Sequence, residues 1–238
     1  MGTHAFGPRA ERRVVVRSAI SPHWWWLAGA LLLAFALPFL LTDVLDVDRD
    51  LFYGIYALAV VGLFASWAHA TRYDLGAAVR RRWVLATVLG LGTAAVLTAM
   101  VVRTEAATPR PDGLELVLAV GWRGLVYGVT DGLFLSVFPI LVVFAAFAGS
   151  RLDRHLRGKL VIAAVALVAS LLMTAVYHSG YSDFRSEKLR KPIAGDVVWS
   201  VPTLVTLNPI GAPIAHAGLH VSAVLHSYET ETFLPPHR

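Results

Sequence analysis

The chain has no cysteine among its 238 residues. That excludes disulfides, thiolate nucleophiles and cysteine-held clusters, and it leaves the redox compartment open. Charge is scarce as well, at 16% of residues, against about 25% in a typical soluble domain. There is no His-Glu-x-x-His segment, no Gly-x-Ser-x-Gly and no Walker A loop, so the usual zincin, α/β-hydrolase and nucleotide-phosphate signatures are missing. Histidines are too few and too scattered for a membrane di-iron hydroxylase. No internal repeat of the transporter kind is visible. A net charge of +5 accompanies no basic face or reader motif, so no nucleic-acid partner is expected.

What the chain has is oil. Hydrophobic residues make up 56% of it, in several runs that approach the roughly 20 apolar residues needed to cross a bilayer. The composition predicts an all-α, polytopic transmembrane bundle of about six or seven spans, with the lipid bilayer as its first partner. Residues 1–23 read as a basic N-terminal segment, residues 24–228 as one transmembrane domain and residues 229–238 as a polar tail. The first apolar run begins at Trp24-Trp25-Trp26, an interfacial aromatic cluster. No small-residue cleavage site follows it, so it reads as a retained span.

Basic segments precede the first run, follow the second (Arg72, Arg80, Arg81, Arg82) and follow the fourth (Arg151, Arg154, Arg157, Lys159). Positive-inside logic places the N-terminus in the cytoplasm of a multi-pass protein of the cell inner membrane. One loop votes the other way: Arg185, Lys188, Arg190 and Lys191 outnumber Asp183 and Glu187 between Ser179 and Lys191.

Two stretches depart from simple spans. Leu114 to Gly149 would exceed ~50 Å as one helix, beyond a ~30 Å hydrocarbon core. It is expected to protrude, to tilt, or to break near Pro139. The last apolar block, Ile193 to Leu225, is interrupted at Asn208-Pro209 and again at Pro213, where proline removes a backbone donor. This predicts a broken helical hairpin, Ile193 to Leu207 and Ala212 to Tyr228, packed inside the bundle.

The polar residues within these runs are the candidate site. Intramembrane ionisable groups are costly and need partners. His216 and His220 are four apart, so they share a helix face. His226, six residues further on, is rotated about 600° from His220, onto the opposite face near the membrane surface. Arg123, Tyr127 and Asp131 follow at four-residue spacing and line one face of the long stretch. Arg123 is about 12 Å of rise from Asp131, too far to pair with it, so a histidine from another helix is the natural partner of Asp131. His178 ends the fifth span. The candidate catalytic residues are Asp131, His178 and His220. His216, Asn208, Tyr127 and Arg123 are candidates for substrate binding. Asp131, His178, His216 and His220 are candidate ligands should a metal be present, and imidazole with carboxylate suits Zn or Fe.

The order of these residues resembles the CAAX-prenyl-endopeptidase and bacteriocin-processing (CPBP/Abi) family of intramembrane proteins. That family carries Glu-Glu-x-x-x-Arg on one helix, Phe-x-x-x-His on a later one and His-x-x-x-Asn near the end. Asp131, then Thr174 with His178, then His216 with His220 stand in the same order over residues 113–228. The resemblance implies that the acid activates a water, the first histidine assists and the last pair holds the oxyanion. Its implied substrate is a lipid or membrane peptide. Asp131 stands alone where the family has Glu-Glu, Phe134-Leu135-Ser136 lies where its arginine would fall, Thr174 replaces its Phe and His220 its Asn. This is the pattern of a hydrolase relative whose chemistry is altered or lost. The rival reading is a non-catalytic binding, transport or accessory protein, in which the same polar groups lock the helices or line a cavity.

Overall fold

The computed structural model describes residues 21–230 and 233–235. Most of the basic N-terminal segment and part of the polar tail lie outside the described residues. Every regular element among the described residues is helical. The helices are α1 (Pro22–Pro38, continued by a wider π turn over Phe39–Val44), α2 (Arg49–Thr71), a short α3 (Leu75–Arg80), α4 (Trp83–Thr104), α5 (Gly113–Phe147), α6 (Leu156–Ser179), α7 (Arg190–Trp199), α8 (Val201–Thr206) and α9 (Gly211–His226). Five of them, α1 with its π turn, α2, α4, α5 and α6, are long and apolar enough to cross a membrane. They fit a multi-pass membrane protein. Among the described residues these five are fewer than the expected six or seven, because the last apolar block forms the shorter α7, α8 and α9 instead of full-length spans.

Helix starts follow local chemistry. Pro22 opens α1, where its missing N–H would have had no helical partner. Asp48 caps α2 by accepting the Asp50 N–H at 2.8 Å, and this bond holds its carboxyl below the ordinary value. Asp74 caps α3 by accepting the Ala77 N–H at 2.8 Å.

α5 is the central pillar. Its most apolar window is 72% buried, against 22% to 39% for the other four long helices. It does not break at Pro139. Instead it contains two π-helical stretches, Val120–Val126 and Gly132–Val137, the second immediately before the proline. In a regular helix Pro139 would clash with the carbonyl four residues earlier and leave it without a donor. That carbonyl, of Leu135, instead accepts the Ser170 hydroxyl of α6 at 2.8 Å. The widened turn relieves the clash, and a neighbouring helix supplies the lost hydrogen bond.

The C-terminal block is the expected hairpin with a further interruption. Ser200 separates α7 from α8, and the turn Leu207–Ile210 joins α8 to α9. Leu207 has φ +53°, a left-handed conformation that ends α8. Asn208 then fixes the turn. Its Nδ2 donates to the carbonyls of Val79 at 2.7 Å and Arg81 at 2.6 Å, and its Oδ1 accepts the Ile210 N–H at 2.8 Å. The hairpin tip therefore lies beside the α3–α4 junction, at the end of the bundle rich in arginine. At the other end, Glu105 after α4 accepts from His226 and pairs with Lys191 at the start of α7.

That opposite end is stitched by further ion pairs. Arg185 meets Asp43 at 2.9 Å and Arg123 meets Asp50 at 2.7 Å. Two of the four cations in the loop that runs against the charge pattern, Arg185 and Lys191, thus have acidic partners.

Glycine brings α5 and α9 together. A Cβ on Gly124, Gly128 or Gly132 would lie 2.7–2.8 Å from Val221, Ala217 or Pro213 respectively. The three glycines recur every four residues, so they form one stripe that lets α9 lie against the α5 backbone. The matching order, rising on α5 and falling on α9, shows that the two helices run antiparallel.

Candidate functional site

The glycine stripe determines what Asp131 meets. Asp131 sits next to Gly132, mid-way along α5, and the close approach of α9 brings His216 and His220 onto its carboxylate. Asp131 Oδ2 lies 3.5 Å from His216 Nδ1 and 3.4 Å from His220 Nε2. All three side chains are buried. One ligand atom from each lies within 4.8 Å of the others.

Each partner is held from behind. Asp131 Oδ1 accepts the Tyr56 hydroxyl at 2.9 Å. His220 Nδ1 lies 2.7 Å from the Phe233 carbonyl. A carbonyl can only accept, so Nδ1 of His220 carries a proton, and Nε2 is the ring atom that faces Asp131. The His216 ring packs against Trp199 at 4.5 Å between centroids, and the Tyr127 ring packs edge-on to His220 at 4.7 Å. Both nitrogens of His216, and Nε2 of His220, have no hydrogen-bond partner in the protein.

The row predicted on α5 meets a row on α2. Arg123 pairs with Asp50, Tyr127 stacks on Tyr53 at 4.1 Å and Asp131 bonds Tyr56. Only the last two of the α5 row face the cavity described next. Arg123 is held by both oxygens of Asp50 and by the Tyr228 hydroxyl, and a chelated guanidinium of this kind is committed to its protein partners. Asn208 is likewise engaged in the hairpin turn at the arginine-rich end. Neither of these two proposed substrate contacts lines the cavity.

A cavity of about 310 Å³ opens beside the cluster. Asp131, Tyr127, His178 and His220 form its polar end. Leu97 and Met100 of α4 and Gly195 and Val198 of α7 are among its apolar walls, and Thr104, Glu105 and Lys191 lie toward one end of the bundle. Its lining includes exposed residues of both helices, Val96 and Thr104 of α4 and Lys191 and Val198 of α7. His178 is buried, with its Nδ1 2.8 Å from the Thr174 carbonyl. By the same rule its proton sits on Nδ1, and Nε2 carries a lone pair. His178 lines this cavity but stands outside the tight Asp131–His216–His220 group.

No protein-family model, characterised protein or solved structure matches the chain. The site is therefore read from its own chemistry.

Sequence reasoning missed three contributors. Tyr127, a candidate from the sequence, belongs to a buried phenol cluster around the carboxylate with Tyr56, Tyr177 and Tyr181, which were not singled out; the Tyr127–Tyr177 and Tyr177–Tyr181 hydroxyl contacts are 3.0 and 2.7 Å. Tyr56 and Tyr177 belong to apolar runs, where an aromatic ring reads as core, and Tyr181 lies in the following loop. Trp199, which covers His216, sits in a short segment with no periodic signal. The glycine stripe was visible as a four-residue spacing, and it is the signal that would have paired α5 with α9.

A second buried carboxylate went unnoticed. Asp196 of α7 is fully buried. Its Oδ1 accepts from Ser200 at 2.7 Å and Ser136 at 3.4 Å, and lies 3.0 Å from the Ser170 hydroxyl, whose one proton is shared with the Leu135 carbonyl. It joins α5, α6 and α7 at the α7–α8 interruption.

Proposed function

We propose that the protein is a membrane-embedded hydrolase that takes an amphiphilic ester or amide, a lipid or a membrane peptide, from the bilayer through the seam between α4 and α7. The observation that carries this reading is the cavity. Its reactive groups lie at a buried polar end, its walls are apolar, and its lining includes exposed valines of α4 and α7. A pocket of this size and lining suits an alkyl or apolar side chain with a few fixed polar contacts.

The chemistry follows from the groups at the polar end. A water held at Asp131 and the two imidazoles attacks the acyl carbon. His178 Nε2, whose lone pair is free by virtue of the Thr174 bond, takes one proton from that water. The carbon–oxygen or carbon–nitrogen bond then breaks, and the same proton passes to the leaving alcohol or amine. The other product is the carboxylic acid. The resemblance to the CPBP family implies an acid and histidines acting together on a water; here His178 takes the proton, and Asp131 with the last two histidines holds the water. In that reading the bilayer is the inner membrane, and the arginine-rich end faces the cytoplasm.

The test is turnover by the purified full chain in lipid nanodiscs, using a panel of acyl-ester lipids and prenylated or apolar peptides. Hydrolysis of at least one, lost in Asp131→Asn and His178→Ala but kept in Arg123→Lys, supports the reading. Hydrolysis that survives Asp131→Asn removes Asp131 from the chemistry and overturns it.

A further inference from the structure

We infer that Asp131, His216 and His220 form a three-ligand site for a divalent transition ion, with Zn²⁺ the best match, and that its fourth position faces the α4–α7 cavity. This deepens the hydrolase reading, because it identifies what holds the water.

The first argument is convergence. His216 Nδ1 and His220 Nε2 are buried and lie 3.5 and 3.4 Å from the same Asp131 oxygen, and neither nitrogen has another partner in the protein. Three ligand-type atoms from two helices thus gather away from solvent, all within 4.8 Å of one another. A cation held between them would satisfy buried polar atoms that are otherwise unpaired.

The second argument is geometric. Zn²⁺ binds imidazole nitrogen and carboxylate oxygen at about 2.0–2.2 Å in a tetrahedron, which sets neighbouring ligand atoms about 3.3–3.5 Å apart. Two of the three separations fall in that interval, and all three ligand atoms lie within 4.8 Å of one another.

The third argument is the surroundings. Ligating imidazoles usually donate their other N–H to a carbonyl or carboxylate, and ligating carboxylates are themselves hydrogen-bonded. His220 has Phe233 and Asp131 has Tyr56 in these roles. His216 Nδ1 and His220 Nε2 are buried, lack other partners and lie on the carboxylate, while the far nitrogen of His216, Nε2, has no such outer contact and is covered by Trp199. Three protein ligands with one side open to a cavity is the pattern of a catalytic rather than a structural zinc site. His178 lines that cavity outside the ligand group.

The experiment is elemental analysis of the full chain purified in detergent without added metal, followed by chelation and reloading with Co²⁺. About one equivalent of zinc per chain, and the visible absorption of four-coordinate Co²⁺, are expected. Both should vanish in His216→Gln and His220→Gln and persist in His178→Ala. Thermal unfolding of each variant reports folding separately, and a Tyr56→Phe variant, which keeps all three ligands, should still load. Background metal in folded wild-type protein that also fails to take up Co²⁺ overturns the proposal. So does equal metal in wild type and in a folded His216→Gln/His220→Gln double variant. Metal bound without turnover of any amphiphile sinks the hydrolase reading alone, and turnover by the metal-free chain sinks the metal alone.

Discussion

Asp131 and Asp196 are both buried aspartates, and they are held in opposite ways. Asp196 Oδ1 collects three serine hydroxyls from three structural segments, and the result is a knot. Asp131 receives one phenol on one oxygen and turns the other toward two imidazole nitrogens that have no other partner in the protein. Asp196 has its hydroxyls on one oxygen only, its Oδ2 is buried without a partner, and it does not line the cavity. Asp131 has metal-ligand side chains for neighbours and opens onto that cavity. Burial alone therefore does not separate a functional carboxylate from a structural one. The chemical type of its neighbours and its access to a cavity do.

The sharpest way to break this comparison is to remove one charge at a time. Asp131→Asn should lower hydrolysis on the order of 10²–10⁴-fold, the usual weight of a positioned acid–base group, while the bundle stays folded. Turnover assays alongside thermal unfolding in detergent check both halves. Asp196→Ala should do the reverse. It leaves Ser136, Ser170 and Ser200 short of an acceptor and is expected to cost about 2–3 kcal/mol of stability, with metal content unchanged; denaturant unfolding and elemental analysis read the two effects. If Asp196→Ala instead empties the metal site, the two aspartates are one network and the contrast fails.

Two smaller changes sharpen it. Gly128→Ala places a methyl 2.7 Å from Ala217 and should cost about 1–3 kcal/mol by overpacking. It should also weaken metal retention, because the helix shift separates Asp131 from α9; competition with a chelator measures this. Tyr56→Phe removes one hydrogen bond from Asp131 and should cost about 1 kcal/mol. Its expected signature is a roughly tenfold faster metal loss, within the range for outer contacts of a metal ligand, with little change in melting.

Much of the fold was legible because the bilayer imposes it. Long apolar runs with polar punctuation become helices, and Asn208-Pro209 had to interrupt one. The shared face of His216 and His220 follows from helical spacing, and the need of Asp131 for a partner follows from its apolar context. What the sequence could not convey was depth and neighbourhood. Asn208 stood out as a polar group in an apolar block, but its two donors and its acceptor complete a turn against Val79 and Arg81. Arg123 stood out as an intramembrane cation, but its partner is Asp50, which reads from sequence as one more acid in a loop. Pro139 looked like a break because the hydroxyl that rescues Leu135 comes from Ser170, distant in sequence. Asp196 drew no notice because its three serines lie in three segments, none of them polar enough to stand out.

The Phe233 carbonyl that orients His220 lies seven residues beyond the end of α9. The orientation and tautomer of an imidazole in the middle of the bundle are thus set by a backbone carbonyl outside the helices. A fusion or affinity handle that tugs on the chain at Phe233 would retune the reactive centre from afar, and a protein purified through it would look intact and behave as a different one.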